Sequence, residues 1–351
     1  MTKNRIAVLL AALGLSLFAG CGESSGTVVL QGAGATFPNP LYQRWCADYN
    51  KTHPSVSLDY QSIGSGGGIK QLSARTVDFG GSDAPMTNEE IKGAGADVIH
   101  IPTVLGADVL TYNLPDVQAD LKLTPEAVAD IFLGKIKKWD DPALKATNPG
   151  VALPSKEITV VHRSDGSGTT YVWTDYLSKV SPEWKEKVGV EKSVNWPVGV
   201  GAKGNEGVSG QVKQTPYSAG YVELQYAEQN KMPYASIKNS AGEFIRPNLD
   251  SISAAAAGAS AQMPEDLRVS ITNAPGAAAY PAASFTYLLV YKEQSDEGKG
   301  KALVDFLWWA IHDGQATAKE MIYAPLPKEV VVKTEAKIKL LTSQGKPLHT
   351  N

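Results

Sequence analysis

An α/β fold is predicted by three features of the sequence. Strand and helix patterns alternate along the chain, three strand-to-helix joints are built alike from glycine and hydroxyl residues, and 351 residues leave room for two domains. In order, "TVVLQ" (27–31) predicts a strand that turns through "GATFP" into a helix carrying Leu41, Trp45 and Tyr49 on one face. "SVSLDYQSI" alternates at period two through Val56, Leu58 and Tyr60, hence a half-buried strand, and "GSGGGIKQL" starts a second helix. "DVIHIPTVLG" is a further strand signal leading to "ADVLTYNL". "ITVVHR" runs directly into "SDGSGT" and an amphipathic helix with Trp173, Tyr176, Leu177 and Val180 on its buried face. "AGYVELQYA" follows. "SFTYLLVYK" is a strongly apolar strand, and "ALVDFLWWAIHDG" a helix whose Trp308 and Trp309 serve packing. "AAAAGASAQMPE" reads as helix or loop with no site, and there is no internal repeat.

The first twenty residues stand apart. Lys3 and Arg5 precede an apolar run from Ile6 to Phe18, too short to span a bilayer as a helix, and Ala19-Gly20 ends it. This is a signal-peptide pattern over 1–20. "LFAGC" resembles the lipobox of bacterial lipoproteins, with Phe18 where leucine is more usual. The resemblance implies cleavage before Cys21, acylation of that cysteine, and a flexible tether over 21–26. The remaining cysteine, Cys46, is then most simply a small buried side chain. Net charge is -3, and removal of the leader with Lys3 and Arg5 takes it to -5. No basic patch is present, which argues against nucleic acid as a partner.

The three joints are "GATFP" (34–38), "GSGGG" (64–68) and "DGSGT" (165–169). Each places glycines or hydroxyls where the first N–H groups of a helix have no partner inside it. In an open α/β sheet such turns gather at the carboxyl ends of the strands. Converging helix N-termini would surround a small anion with donors while adding one formal positive charge, Arg163.

Other chemistries lack their residues. G-x-x-x-x-G-K-[ST] is absent, and G-x-S-x-G occurs only as "GESSG" (22–26), in the tether and not at a strand-to-helix turn. "GVGAKG" (199–204) matches G-x-G-x-x-G with Glu223 nineteen residues beyond Gly204. It follows a poor strand in mid-chain, however, so a dinucleotide site is not expected. The five histidines are scattered without H-E-x-x-H or a cysteine cluster, which argues against zinc. His162 and Arg163, being neighbours on a strand, point to opposite faces, so only one of them faces the site. No metal or cofactor is expected.

Taken together, "GAGATFPNPLYQRW", "IGSGGGIKQL", "VDFGGSDAPMT", "LGKIKKWDDPAL", "HRSDGSGTTYVWTDYL" and "GYVELQYA" resemble the signature stretches of the periplasmic phosphate-binding proteins. These are the substrate-binding subunits of the phosphate-specific ABC transporter. The resemblance runs from about Val28 to near the C-terminus. It implies a two-lobed type II Venus-flytrap fold with mixed sheets, flanking helices and two hinge crossovers. The lobes would be 27–112 with 281–351, and 113–280. It further implies one bound inorganic phosphate, a monomer outside the cytoplasmic membrane, and delivery to permease subunits served by a cytoplasmic ATPase. Phosphate donors by this resemblance are Thr36, Phe37 (through its N–H), Ser65, Arg163, Ser167, Gly168 and Thr169. Asp165 would orient the arginine, and Asp83 would be the one acidic ligand. His162 and Ser164 stand where the family commonly has Arg and Ala, neither of them a donor.

Asp83 carries its own argument. A carboxylate only accepts hydrogen bonds, so beside an anion it is favourable when that anion bears a proton, as phosphate does near neutral pH and sulfate does not. Two alternatives remain open at this point: a secreted phosphatase or phosphotransferase with Ser65 or Ser167 as nucleophile, and a receptor for another oxyanion.

Overall fold

The computed structural model describes residues 26–260 and 263–349, the side chains of 259 and 260 apart. The leader, Cys21 and the tether through residue 25 lie outside the described residues. Eight strands form the main sheet: β1 Val28–Gly34, β2 Val56–Ser62, β3 Phe79–Ser82, β4 Val98–Tyr112, β5 Thr159–Arg163, β6 Val200–Ala202, β7 Ser218–Glu223 and β8 Ala283–Tyr291. Their order is β2-β1-β3-β8-β4-β7-β5-β6. β1 runs parallel to β2 and β3, and β5 runs parallel to β6 and β7, whereas β8 is antiparallel to β3 and β4. The sheet is thus mixed, and its two ends are two parallel blocks, each with its own crossover helices.

The blocks are joined through β4, which is where the structure departs from the sequence reading. The two apolar segments around Gly106 form one strand of 15 residues. Its first part pairs with β8, ending at Ala107 opposite Ala283. From Asp108, opposite Glu223, it pairs with β7. Gly106 does not interrupt the strand; it makes room. A Cβ there would meet the Phe37 ring at 2.6 Å. We call the β2-β1-β3-β8 block with its helices the first lobe, and the β7-β5-β6 block the second. β4 belongs to both.

The elements in each lobe follow their patterning. Leu41, Trp45 and Tyr49 are buried along helix Asn39–Thr52, and Leu58 and Tyr60 along β2. Helix Glu297–Ile311 covers the first lobe, with Trp309 edge-on to Trp45 at 6.1 Å. Trp308 and Trp309 both pack on the core. In the second lobe helix Gly168–Val180 lays Trp173 flat against Tyr221 at 5.5 Å. Cys46 is buried and free, its thiol pushed up to about 12 by burial. Among the described residues no helix is long and apolar enough to cross a membrane.

Trp45 is fully buried and its indole N–H is held by the Gly314 carbonyl at 2.9 Å, tying helix Asn39–Thr52 to the C-terminal helices. Trp45→Ala should therefore cost ~3–5 kcal/mol in urea unfolding, the range for emptying a large aromatic site. A loss below about 1 kcal/mol would contradict this packing role.

Candidate functional site

Four helix N-termini meet where the two lobes touch, one more than the sequence suggested. They belong to helices Asn39–Thr52, Ser65–Ser73, Gly168–Val180 and Gly204–Gln214. Each follows a strand of the main sheet: β1, β2, β5 and β6 respectively. The fourth joint is "GVGAKG", set aside above because it fails as a cofactor fingerprint. Its short strand does form, beside β5. Gly204 donates its N–H to Asp165 at 3.1 Å, and the next residue, Asn205, enters the site. Asn205 is the principal residue the sequence reading missed. The signal available was the strand–glycine–helix layout shared with the other three joints.

The structure brings together Thr36, Phe37, Ser65, Asp83, Arg163, Ser167, Gly168 and Thr169, all of them buried. Asp165 lies half-buried at their edge. The lobes approach closely enough that two positions require glycine. Gly64, at φ +84°, adopts a conformation L side chains rarely take, and a Cβ there would meet Asp165 Oδ2 at 2.5 Å. A Cβ on Gly168 would meet Asp83 Oδ2 at 2.4 Å and Ser65 Oγ at 2.5 Å. The main chains also bond directly, Gly66 N–H to Gly166 O at 2.9 Å.

The hydroxyls share one arrangement. Thr36 Oγ1 accepts from Asn205 Nδ2 at 2.7 Å and from its backbone N–H at 3.2 Å. Ser65 Oγ accepts from the Gly168 N–H at 3.0 Å. Ser167 Oγ accepts from the Thr170 N–H at 2.9 Å, as an N-cap does. Thr169 Oγ1 accepts from Asn205 at 3.0 Å and from Arg163 Nη1 at 3.3 Å. Each oxygen has a lone pair engaged by a protein N–H, while a hydroxyl also carries one proton to give. The arrangement favours presenting those protons to an acceptor held between the lobes. Ser167's own N–H is already used by the Lys192 carbonyl at 2.8 Å, so that residue's free donor is its hydroxyl.

Charge in the site is nearly balanced without a ligand. Arg163 is clamped by Asp165 through two bonds, Nε–Oδ1 at 2.8 Å and Nη2–Oδ2 at 2.7 Å, the fork geometry of a carboxylate–guanidinium pair. Asp165 is held below the usual carboxylate range by that pairing, against the opposing effect of its burial. His162 points away and stacks on Trp196 at 4.9 Å, as alternation on a strand requires. Asp83 differs. Burial pushes it up to about 7, against the lowering effects of the Thr286 hydroxyl at 2.8 Å and of Arg163. Its Oδ2 lies 3.5 Å from Ser65 Oγ. The site therefore offers many donors, one neutralised cation and one acid poised near neutral pH. That combination suits a small oxyanion that shares a proton.

Two side-chain links flank the site. On one side Lys192 Nζ meets Glu90 Oε1 at 2.9 Å, joining the second lobe to the first. On the other, Glu206 Oε1 takes the Ser62 hydroxyl at 3.1 Å and the Tyr226 hydroxyl at 3.0 Å. Tyr226 also donates to Thr36 O at 2.6 Å. No metal-binding group of three or more His, Cys, Asp or Glu is present among the described residues.

Comparison with known proteins gives the following. The family profile described as PBP superfamily domain matches residues 22–311. A curated relative named phosphate-binding protein PstS from Pasteurella multocida (strain Pm70) is 47% identical over 99% of both chains. Another of that name, from Xylella fastidiosa (strain 9a5c), is 47% identical over 90% of this chain and 86% of the relative. Among solved structures, a phosphate ABC transporter substrate-binding protein with bound phosphate from Clostridium perfringens superposes with a TM-score of 0.61. It shares 18% identity and covers 85% of this chain and 100% of its own. At that identity the superposition speaks for the fold alone, and the fold is the two-lobed one expected.

The pH dependence of stability follows from Asp83. An acid raised from an ordinary value near 4 to about 7 stabilises the fold fully below the lower value and loses that contribution as pH rises through the upper one. Without added ligand, Asp83→Asn should thus gain on the native chain by up to ~4 kcal/mol as pH rises from about 4 to about 8. Urea unfolding at several pH values measures this, and a difference that does not change with pH would contradict it.

Proposed function

The chain belongs to the phosphate-binding protein PstS family of the PBP superfamily, and we propose that it captures inorganic phosphate between its lobes for delivery to an ABC importer. One observation carries this reading: four buried hydroxyls have lone pairs engaged by protein N–H groups, and a single buried acid faces them. The donors would hold the oxygens of the anion, and Asp83 would accept the one proton it carries. Thr36, Ser65, Ser167 and Thr169 would act through hydroxyls, Phe37 through its N–H, and Arg163 through the Nη hydrogens left over from its clamp with Asp165, while the Gly168 N–H acts by fixing the Ser65 hydroxyl.

In this reading the protein binds and does not turn over. The relatives are named as binding proteins. Turnover of a phosphoester that Ser167→Ala abolishes would overturn it. The buried site requires that the lobes, 27–112 with 281–351 and 113–280, part to admit ligand. The change of neighbours along β4 between Ala107 and Asp108 supports a hinge there. The partners in this reading are permease subunits with their ATPase, and the chain works outside the cytoplasmic membrane, anchored through acylated Cys21. If so, Cys21→Ser should move the protein from the membrane to the soluble fraction, and an unchanged membrane share would refute the anchor.

The value near 7 at Asp83 sharpens the selectivity expected. Above it, the acid is an acceptor and the ligand must bring the proton. Below it, Asp83 can bring the proton itself. Calorimetric titration at pH 8 should therefore show phosphate and arsenate binding, with sulfate weaker by roughly 10⁴, the scale of leaving a required hydrogen bond unmade. As pH falls towards about 6, the sulfate gap should narrow. Asp83→Asn, which can donate, should narrow it at every pH. Equal binding of phosphate and sulfate at pH 8 would end the reading.

A further inference from the structure

Behind the site lies a pair of acids that the phosphate reading does not use. Asp108 is fully buried at the point where β4 changes lobes, and neither of its carboxylate oxygens has a hydrogen-bond partner among the described residues. Glu223 lies directly opposite it in the antiparallel register, so the two side chains leave the same face of the sheet with their Cβ atoms ~5 Å apart. Glu223 is fully buried too. Its Oε2 accepts from the Gln225 N–H at 2.8 Å and the Tyr323 hydroxyl at 3.1 Å, while Oε1 is unpartnered.

Two adjacent buried carboxylates with three unpartnered oxygens cannot both stay ionised in a dry interior. A proton held by the pair removes one of the two charges. We propose that Asp108 and Glu223 hold a single proton between them at neutral pH, and that its loss sets the alkaline limit of phosphate binding. This rests on the phosphate reading of the neighbouring site.

The groups facing the pair point the same way. From beyond β3, Asp83 opposes ionisation of both acids, as each acid's own burial does, and Glu223 opposes that of Asp108. From β5, Arg163 favours ionisation of Asp108, yet its charge is already matched by Asp165. Tyr221 on β7, Tyr280 ahead of β8, and Tyr226 and Tyr323 beside Glu223 are held protonated by burial, so all four stay neutral and none offsets the charge of the pair. Tyr280 gives its proton to the Asp108 backbone carbonyl at 3.0 Å and leaves the carboxyl unserved. Asn205, whose amide nitrogen serves Thr36 and Thr169, accepts from the Glu223 N–H at 2.9 Å, linking the pair to the donor set.

The sign follows directly. With one proton the pair carries one negative charge, and without it two. A second buried charge beside an anion weakens binding, so affinity is retained below the pair's last ionisation and lost above it. Asp108→Asn can never carry the second charge. Phosphate affinity should then match the native chain within about threefold at pH 7. From pH 8 to 10 the native chain should lose affinity on the order of tenfold relative to the variant. Both chains share Asp83 and the ionisation of phosphate itself, so their difference isolates the pair.

An infrared spectrum of the ligand-free protein gives a readout independent of phosphate. At pH 8, where Asp83 is largely ionised, the native chain should show a protonated-carboxyl band that Asp108→Asn removes. If the Asn variant does not fold, Asp108→Val suits a buried strand position and should show the same two effects. Absence of the band at pH 8 would overturn the proposal, and so would native and variant affinity profiles that superimpose. Failure of phosphate binding in every chain with the band present would instead count against the site reading, and with it the binding half of the proposal.

Discussion

The fold depends on presenting hydroxyl protons in a place that water does not reach. Thr36, Ser65, Ser167 and Thr169 each accept from an N–H contributed by a helix N-terminus or by Asn205. The N–H groups that would otherwise be unsatisfied at the starts of helices Gly168–Val180 and Gly204–Gln214 are thereby used to fix hydroxyl oxygens whose protons are then free to face a ligand. Such a site gains little from net charge. Its arginine is cancelled by Asp165, and the protein as a whole is negative. In the proposed reading an anion would be held here by dipoles whose orientation was fixed in folding, so little reorganisation would be needed on binding.

Sheet topology makes the arrangement possible. The two parallel blocks run in opposite directions, so their carboxyl strand ends, and hence their helix starts, meet where β4 passes from one block to the other and binds them into a single sheet. Gly64, Gly66, Gly166 and Gly168 let the two sets of main chain come within contact distance. Larger residues there would hold the lobes apart and admit water, which would screen the very dipoles the site uses. The same dryness raises Asp83 to about 7 and leaves Asp108 and Glu223 as acids that ionise with difficulty. The proposed anion selectivity and the proposed proton on the buried pair would both follow from one dielectric environment.

Much of this was legible in the sequence, because glycine and hydroxyl residues at a strand-to-helix joint have few other uses in that pattern. "GATFP", "GSGGG" and "DGSGT" identified three of the four joints, and the structure brings their residues together. The fourth, "GVGAKG", was weighed only against the dinucleotide fingerprint, and its three-residue strand was too short to signal itself. Asn205 was lost with it. The long β4 reads as two segments in the sequence, and Gly106 between them clears the Phe37 ring without interrupting the strand. Asp108 and Glu223 could not be found by pattern, since a single acid in an apolar strand looks the same whether it meets a cation, a donor or another acid. Only the register between β4 and β7 shows that they face each other.

The central claim concerns where four hydrogens point, and neutron diffraction from deuterium-exchanged crystals grown with phosphate observes them directly. The account predicts that the deuterons on the hydroxyls of Thr36, Ser65, Ser167 and Thr169 all lie toward the ligand oxygens, with one deuteron between the ligand and Asp83. Hydroxyl deuterons turned instead toward protein carbonyls, with the anion held by Arg163 alone, would contradict it.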